Sequence, residues 1–222
     1  MSAPRIHVSD DPAATVAEIL ADAARAGGSI VLTGGRTAGA AYARAAVLEP
    51  DWSHARVWWG DERCVPPDDE RSNYLLAERT LFSALTARPA TQRIPGELGP
   101  VAGAAAYAAL LPDDPYDLVL LGLGTDSHIA SLFPVSPQLA ERDRRVAGGP
   151  AGLEPYVDRI TLTLPELLRA RRIVVLATGA EKAPAVARSF RQAPSERYPG
   201  SLLQSGEADL DVIVDRAAHG DL

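Results

Sequence analysis

Short apolar runs alternate along the chain with longer stretches in which apolar residues recur every three or four positions. The runs Arg5–Val8, Ser29–Thr33, Arg56–Trp59, Leu118–Leu121, Arg159–Thr163, Arg172–Ala177 and Asp211–Val214 predict strands, the last closing the sheet. Between them, Asp10-Asp11-Pro12 opens a helix running to about Ala26, with its proline early in the first turn. An alanine-rich helix is expected over Thr37–Ala46, and Ser72 can cap another over Asn73–Leu85. Further helices are expected over Val101–Leu110, Glu166–Ala170 and Glu181–Gln192. Gly60–Arg71 reads as a long polar loop, and Pro134–Pro155 as a Pro/Gly-rich connection. Strands that alternate with helices imply an α/β fold: a mostly parallel, Rossmann-like sheet with helices on both faces. At 222 residues and 46% hydrophobic content the chain can bury a sizeable core, so one domain over residues 1–222 is expected.

Four of the strands end in glycine followed by polar residues. These ends are Thr33-Gly34-Gly35-Arg36-Thr37, Gly60-Asp61-Glu62-Arg63, Gly122–His128 and Thr178-Gly179-Ala180-Glu181-Lys182. In a parallel sheet such ends share one edge, where α/β proteins bind ligands. Residues scattered over most of the sequence are therefore expected to converge on one cleft.

Composition narrows the ligand. The net charge of −7 argues against a nucleic-acid surface, and a phosphate ester would need a pocket that is basic against the global field. The longest apolar runs are strand-length, far short of a bilayer, and no secretion signal is evident at the N-terminus. The single cysteine, Cys64, excludes an internal disulfide and fits a reducing cytoplasm. Four scattered histidines lack metal-ligand spacing, so neither a metal nor another cofactor is expected.

Each segment admits a bland and a chemical reading. Gly34-Gly35-Arg36-Thr37 is a tight turn, or a loop whose free amides at a helix start face an anion. Gly60-Asp61-Glu62-Arg63 is a solvated loop, or it offers a guanidinium fork to phosphate and a carboxylate to hydroxyls. Lys182, the chain's only lysine, opposes the helix dipole unless a bound anion compensates. His128 is a structural histidine, or a base delivered to the sheet edge by the glycine turn, with Asp126 two residues before it.

Together these segments resemble the 6-phosphogluconolactonase family, which shares its fold with glucosamine-6-phosphate deaminases and related sugar-phosphate isomerases. Gly122–Pro134 is similar to the family's GxGxDGHTASLFP. Asp61-Glu62-Arg63 with Val65-Pro66, Ser72-Asn73, Arg159–Thr163, the Gly179–Lys182 GxxK and Pro199–Gln204 match in order. Ser127 replaces the family's glycine, Ile129 its threonine, and Arg36 a common serine; Arg36 can add to a phosphate pocket or face solvent. Deaminases carry GHIAFNEP, whose glutamate opens the sugar ring with the histidine; Phe133 stands there in this chain and cannot transfer a proton.

The resemblance implies hydrolysis of 6-phospho-D-glucono-1,5-lactone to 6-phosphogluconate in the oxidative pentose phosphate pathway. It casts His128 as base and then acid, and Asp61 or Asp126 as its orienting partner, Asp61 alternatively meeting substrate hydroxyls. Arg63 and Lys182 would hold the phosphate, supported by Arg159, Gly124 and the loop Gly34, Gly35, Arg36 and Thr37. The implied partner is a small sugar-phosphate lactone, with no nucleic acid and no membrane, in a cytoplasmic monomer or weak homodimer. The alternatives are a deaminase or isomerase on the same fold, and a non-catalytic sugar-phosphate sensor, although no basic helix-turn-helix stretch accompanies the domain.

Overall fold

The apolar runs pair side by side. A computed structural model describes residues 3–151 and 154–220. In chain order its elements are β1 (Arg5–Val8), α1 (Pro12–Arg25), β2 (Ser29–Leu32), α2 (Arg36–Leu48), β3 (Arg56–Trp59), β4 (Asp61–Arg63), α3 (Asn73–Thr80), β5 (Ala90–Thr91) and α4 (Gly99–Ala108). There follow β6 (Leu118–Gly122), α5 (Pro137–Ala140), β7 (Val146–Gly149), β8 (Arg159–Leu162), α6 (Leu164–Leu167), β9 (Arg172–Ala177), α7 (Ala183–Phe190), β10 (Asp209–Val214) and α8 (Arg216–His219). A seven-stranded sheet has the order β1-β10-β9-β6-β2-β3-β5, and every pairing in it is parallel. Its central strands are buried along nearly their whole length, which requires cover on both faces.

From β2 the chain steps to β3 and β5 on one side. From β6 it steps to β9 and β10 on the other. The direction of winding reverses between β2 and β6, and open α/β sheets leave a ligand crevice at that point, beyond the strands' carboxyl ends.

Several boundaries differ from the sequence-based expectation. Asp61–Arg63 is not loop but β4, and Arg159–Leu162 is not in the parallel sheet; the two pair antiparallel, with β7, in a separate three-stranded sheet. A charged triplet can lie in a strand because its buried Glu62 carboxylate is saturated. It accepts from the amides of Arg63, Asn73 and Tyr74 and from Ser72 Oγ. The Pro134–Pro155 connection contains α5 and β7, while residues 152 and 153 of it lie outside the described residues. β10 begins at Asp209 and lies inside the sheet; β1 takes that edge and the two-residue β5 the other. The helix expected over Asn73–Leu85 stops at Thr80 and resumes as a 3-10 turn, Phe82–Ala84.

Two buried tyrosines fix the strand ends that feed the crevice. Tyr42 of α2 donates to the Thr33 carbonyl at 2.6 Å and accepts its amide at 2.9 Å. Tyr107 of α4 does the same for Trp59, at 2.9 Å in both directions. Each hydroxyl satisfies a backbone donor and acceptor in the protein interior. Among the described residues no helix is long and apolar enough to cross a membrane.

Asp211 locks the outer strands. From β10 its buried carboxylate accepts Arg5 Nε of β1 at 2.8 Å and Arg172 Nε of β9 at 2.9 Å, with His7 Nε2 at 2.9 Å. Burial pushes its carboxyl up, but these partners outweigh burial and hold it at about 2. A depressed carboxyl stabilises the fold above its unfolded value and loses that contribution as pH falls toward 2. Asp211→Asn is therefore expected to lower unfolding free energy by about 1–2 kcal/mol at pH 7, allowing for solvent around the half-exposed arginines. Urea denaturation should show the gap to wild type closing between about pH 4 and pH 2.

Candidate active site

The crevice at the β2/β6 reversal is a cleft of about 410 Å³. It gathers the ends of all four glycine-terminated strands, with Gly34, Gly35, Arg36, Thr37, Asp61, Arg63, Gly124, His128 and Lys182 in its wall. Three cations, Arg36, Arg63 and Lys182, face two carboxylates, Asp61 and Glu181, so the cleft is locally basic in a chain of net charge −7. Two expected residues lie outside the wall: Asp126, which bonds to His128, and Arg159, which stands opposite Arg63 in the β4–β8 pair.

The loop after β6 is built around the imidazole. Asp126 Oδ1 lies 2.6 Å from His128 Nδ1 and also accepts the His128 amide at 3.1 Å. With Asp126 ionised, Nδ1 carries the shared proton and Nε2 of the neutral ring is left as an acceptor. Partial burial pushes the Asp126 carboxyl up, but hydrogen bonding and charge from His128 outweigh it and hold it below the usual range. The Gly124 amide donates to the His128 carbonyl at 2.8 Å, closing the loop. A Cβ at residue 124 would stand 2.0 Å from His128 Nδ1, so the imidazole can hold this placement only beside glycine. Ser127 adopts φ 72 with a buried, unpartnered hydroxyl, which accounts for glycine in the related motif; serine is strained there rather than freely accommodated. The Phe133 ring packs on the imidazole with centroids 4.8 Å apart.

The two aspartates, alternatives in the sequence, differ in their contacts. Asp61 bonds not to His128 but to Ser131 Oγ, at 2.6 Å to its Oδ2, and to Asn73 Nδ2, at 3.2 Å to its Oδ1. Sequence reasoning missed Ser131 and singled out Asn73 only as part of the Ser72-Asn73 pair; their signal is proximity in space. Asn73 also explains the double glycine. A Cβ on Gly34 would fall 2.1 Å from Asn73 Oδ1, whereas Gly35, at φ 104, has open space beside it and starts α2 with its backbone toward the cleft.

The cations come from separate elements. Arg63 ends β4 and donates through Nη1 to the Arg71 carbonyl. Arg159 is its partner in the β4–β8 register; it is 3% exposed, gives Nη2 to the Pro155 carbonyl at 3.2 Å and leaves Nη1 without a partner. Burial and the neighbouring Arg63 charge lower the Arg159 guanidinium from its ordinary value. Lys182 closes a 3-10 turn, Ala180–Lys182, leading into α7, and no carboxylate pairs with it among the described residues. Thr37 and Thr178 hydroxyls meet at 3.0 Å and tie the two loops together. Burial pushes the Cys64 thiol up to about 11, away from the thiolate form that nucleophilic attack uses.

The same arrangement of elements occurs in known proteins. Residues 5–212 match the family described as glucosamine-6-phosphate isomerases/6-phosphogluconolactonase. A 6-phosphogluconolactonase of Streptomyces coelicolor is 36% identical over 91% of this chain and 85% of that relative. The solved 6-phosphogluconolactonase of Trypanosoma brucei superposes with a TM-score of 0.83 at 28% identity, covering 97% of each chain. A monomeric glucosamine-6-phosphate deaminase superposes at 0.86 with 21% identity, over 98% of this chain and 99% of its own, so it shares the fold alone. The chain belongs to the glucosamine-6-phosphate isomerase/6-phosphogluconolactonase family.

Proposed function

We propose that the chain hydrolyses 6-phospho-D-glucono-1,5-lactone to 6-phosphogluconate. One observation carries this reading: His128, hydrogen-bonded to Asp126, and the cations Arg63 and Lys182 face one cleft. Neutral His128 takes a proton at Nε2 from water as the water oxygen attacks the lactone carbonyl. The tetrahedral intermediate collapses with cleavage of the bond from C1 to the ring oxygen, and the imidazolium returns the proton to that oxygen. Asp126 orients the ring and stabilises its charged form. Arg63, Lys182 and Arg36 hold the phosphate with the amides at the start of α2, while Arg159 adds charge from behind and Asp61 receives sugar hydroxyls. Phe133 counts against the deaminase alternative, since an apolar ring occupies the imidazole's flank where a proton-transferring carboxylate is needed.

The direct test is lactone freshly generated from glucose 6-phosphate, which should disappear faster with the protein than in buffer; an unchanged rate overturns the reading. Lys182→Ala should raise KM about 10- to 100-fold with a smaller change in kcat, as for a lost charge-assisted contact to phosphate. Steady-state kinetics at constant ionic strength checks this, and an unchanged KM removes Lys182 from the phosphate site.

A further inference from the structure

Asp61 is 8% exposed, and a carboxylate buried to that extent ordinarily lies beside a cation. Among the described residues no lysine, arginine or histidine forms an ion pair with it. Its charge is held by neutral donors instead: Ser131 Oγ on one oxygen and Asn73 Nδ2 on the other, the latter also donating to the Asp61 carbonyl at 2.9 Å. Both donors are buried and themselves pinned. The Ser131 amide donates to Thr161 Oγ1 at 3.2 Å, and Thr161 stands opposite Asp61 in the β4–β8 pair. The Asn73 amide donates to Glu62 Oε1 at 2.9 Å. Three chain segments, the His128 loop, β4 and the start of α3, thus meet at one carboxylate in the cleft wall.

We propose that Ser131 and Asn73 are positioning residues that set Asp61 as the acceptor for a ring hydroxyl of the substrate. Each occupies one lone pair on a different carboxylate oxygen, leaving acceptor capacity on both for donors in the cleft. With no cation hydrogen-bonded to it, the carboxylate keeps that acceptor capacity for a hydroxyl proton. Ser131 lies three residues after His128, so the same loop that carries the base also fixes the group that orients the ring, and the lactone carbonyl is presented to Nε2 in register. This inference rests on the lactonase reading and adds to it the residues that align the substrate.

The test is a double-mutant cycle with Ser131→Ala and Asp61→Ala, assayed on freshly generated 6-phosphogluconolactone. Ser131→Ala should lower kcat about 10- to 100-fold with KM within about threefold, because the phosphate cations still hold the substrate. In the Asp61→Ala background the same change should cost less than about twofold. Equal losses in both backgrounds, or wild-type kinetics for Ser131→Ala, overturn the proposal. Should Ser131→Ala fail to fold, lactones lacking one ring hydroxyl at a time serve the same end. Against wild type, one of them should lose about as much kcat as Asp61→Ala loses on the full substrate, and Asp61→Ala should cost nothing further on that lactone. A uniform cost of Asp61→Ala on every deoxy lactone overturns the proposal. A wild type that leaves the lactone at its buffer rate refutes the lactonase reading itself, whereas an active wild type with additive losses refutes only the positioning.

Discussion

Replacing His128 with alanine should lower kcat about 10²- to 10⁴-fold, the contribution of a positioned general base, while binding of 6-phosphogluconate stays within about threefold of wild type. The imidazole contacts Asp126 and the ring of Phe133 and is partly exposed, so its removal excavates no core. The phosphate cations lie on other elements: Arg63 at the end of β4, Lys182 ahead of α7 and Arg36 at the start of α2. Product affinity should therefore survive the loss of turnover. Lactone consumption, corrected for its spontaneous hydrolysis, reads the first quantity, and titration calorimetry with 6-phosphogluconate the second. A parallel loss of turnover and binding would make His128 a structural residue and move the chemistry elsewhere.

The parallel sheet was legible because its central strands are apolar on both faces, so runs such as Leu118–Leu121 and Ile173–Ala177 need no partner to be recognised. The cleft was legible for a related reason, since glycine followed by charge at a strand end places polar groups on one edge. What escaped depends on contacts between distant segments. The Asp61–Arg63 strand reads as loop from its composition, and only the pairing with Arg159–Thr161 and the donors around Glu62 make it a strand. Ser131 lies seventy residues from Asp61 in sequence, and no local pattern announces their 2.6 Å hydrogen bond. The Tyr42 and Tyr107 clamps are hidden likewise, because a tyrosine in a helix reads as core until the backbone it bonds is known. Asp126 was identifiable by its spacing from His128, but so was Asp61 by its charge; only the contacts of each tell them apart.

Gly124→Ala tests the proposed machinery from the backbone side, without removing any catalytic group. A Cβ there would lie 2.0 Å from His128 Nδ1, 2.3 Å from His128 Cε1 and 2.5 Å from Asp126 Oδ1. All three contacts are closer than side-chain carbons can sit, and all three atoms belong to movable side chains rather than to backbone. The loop can therefore keep its path, held by the Gly124 amide on the His128 carbonyl and by Arg188 Nη2 on the Thr125 carbonyl at 2.9 Å. What gives way is the 2.6 Å pairing of Asp126 with the imidazole. Displacing a base by about 1 Å costs on the order of 10²-fold in rate, so kcat should fall at least that far while thermal stability changes by no more than about 2 kcal/mol. Product binding should persist, as it does for His128→Ala, because Arg63 and Lys182 are untouched. Wild-type kcat in a folded Gly124→Ala variant would mean that the imidazole works from a position other than the one Asp126 holds, and the assignment of Asp126 as its orienting partner would fall with it.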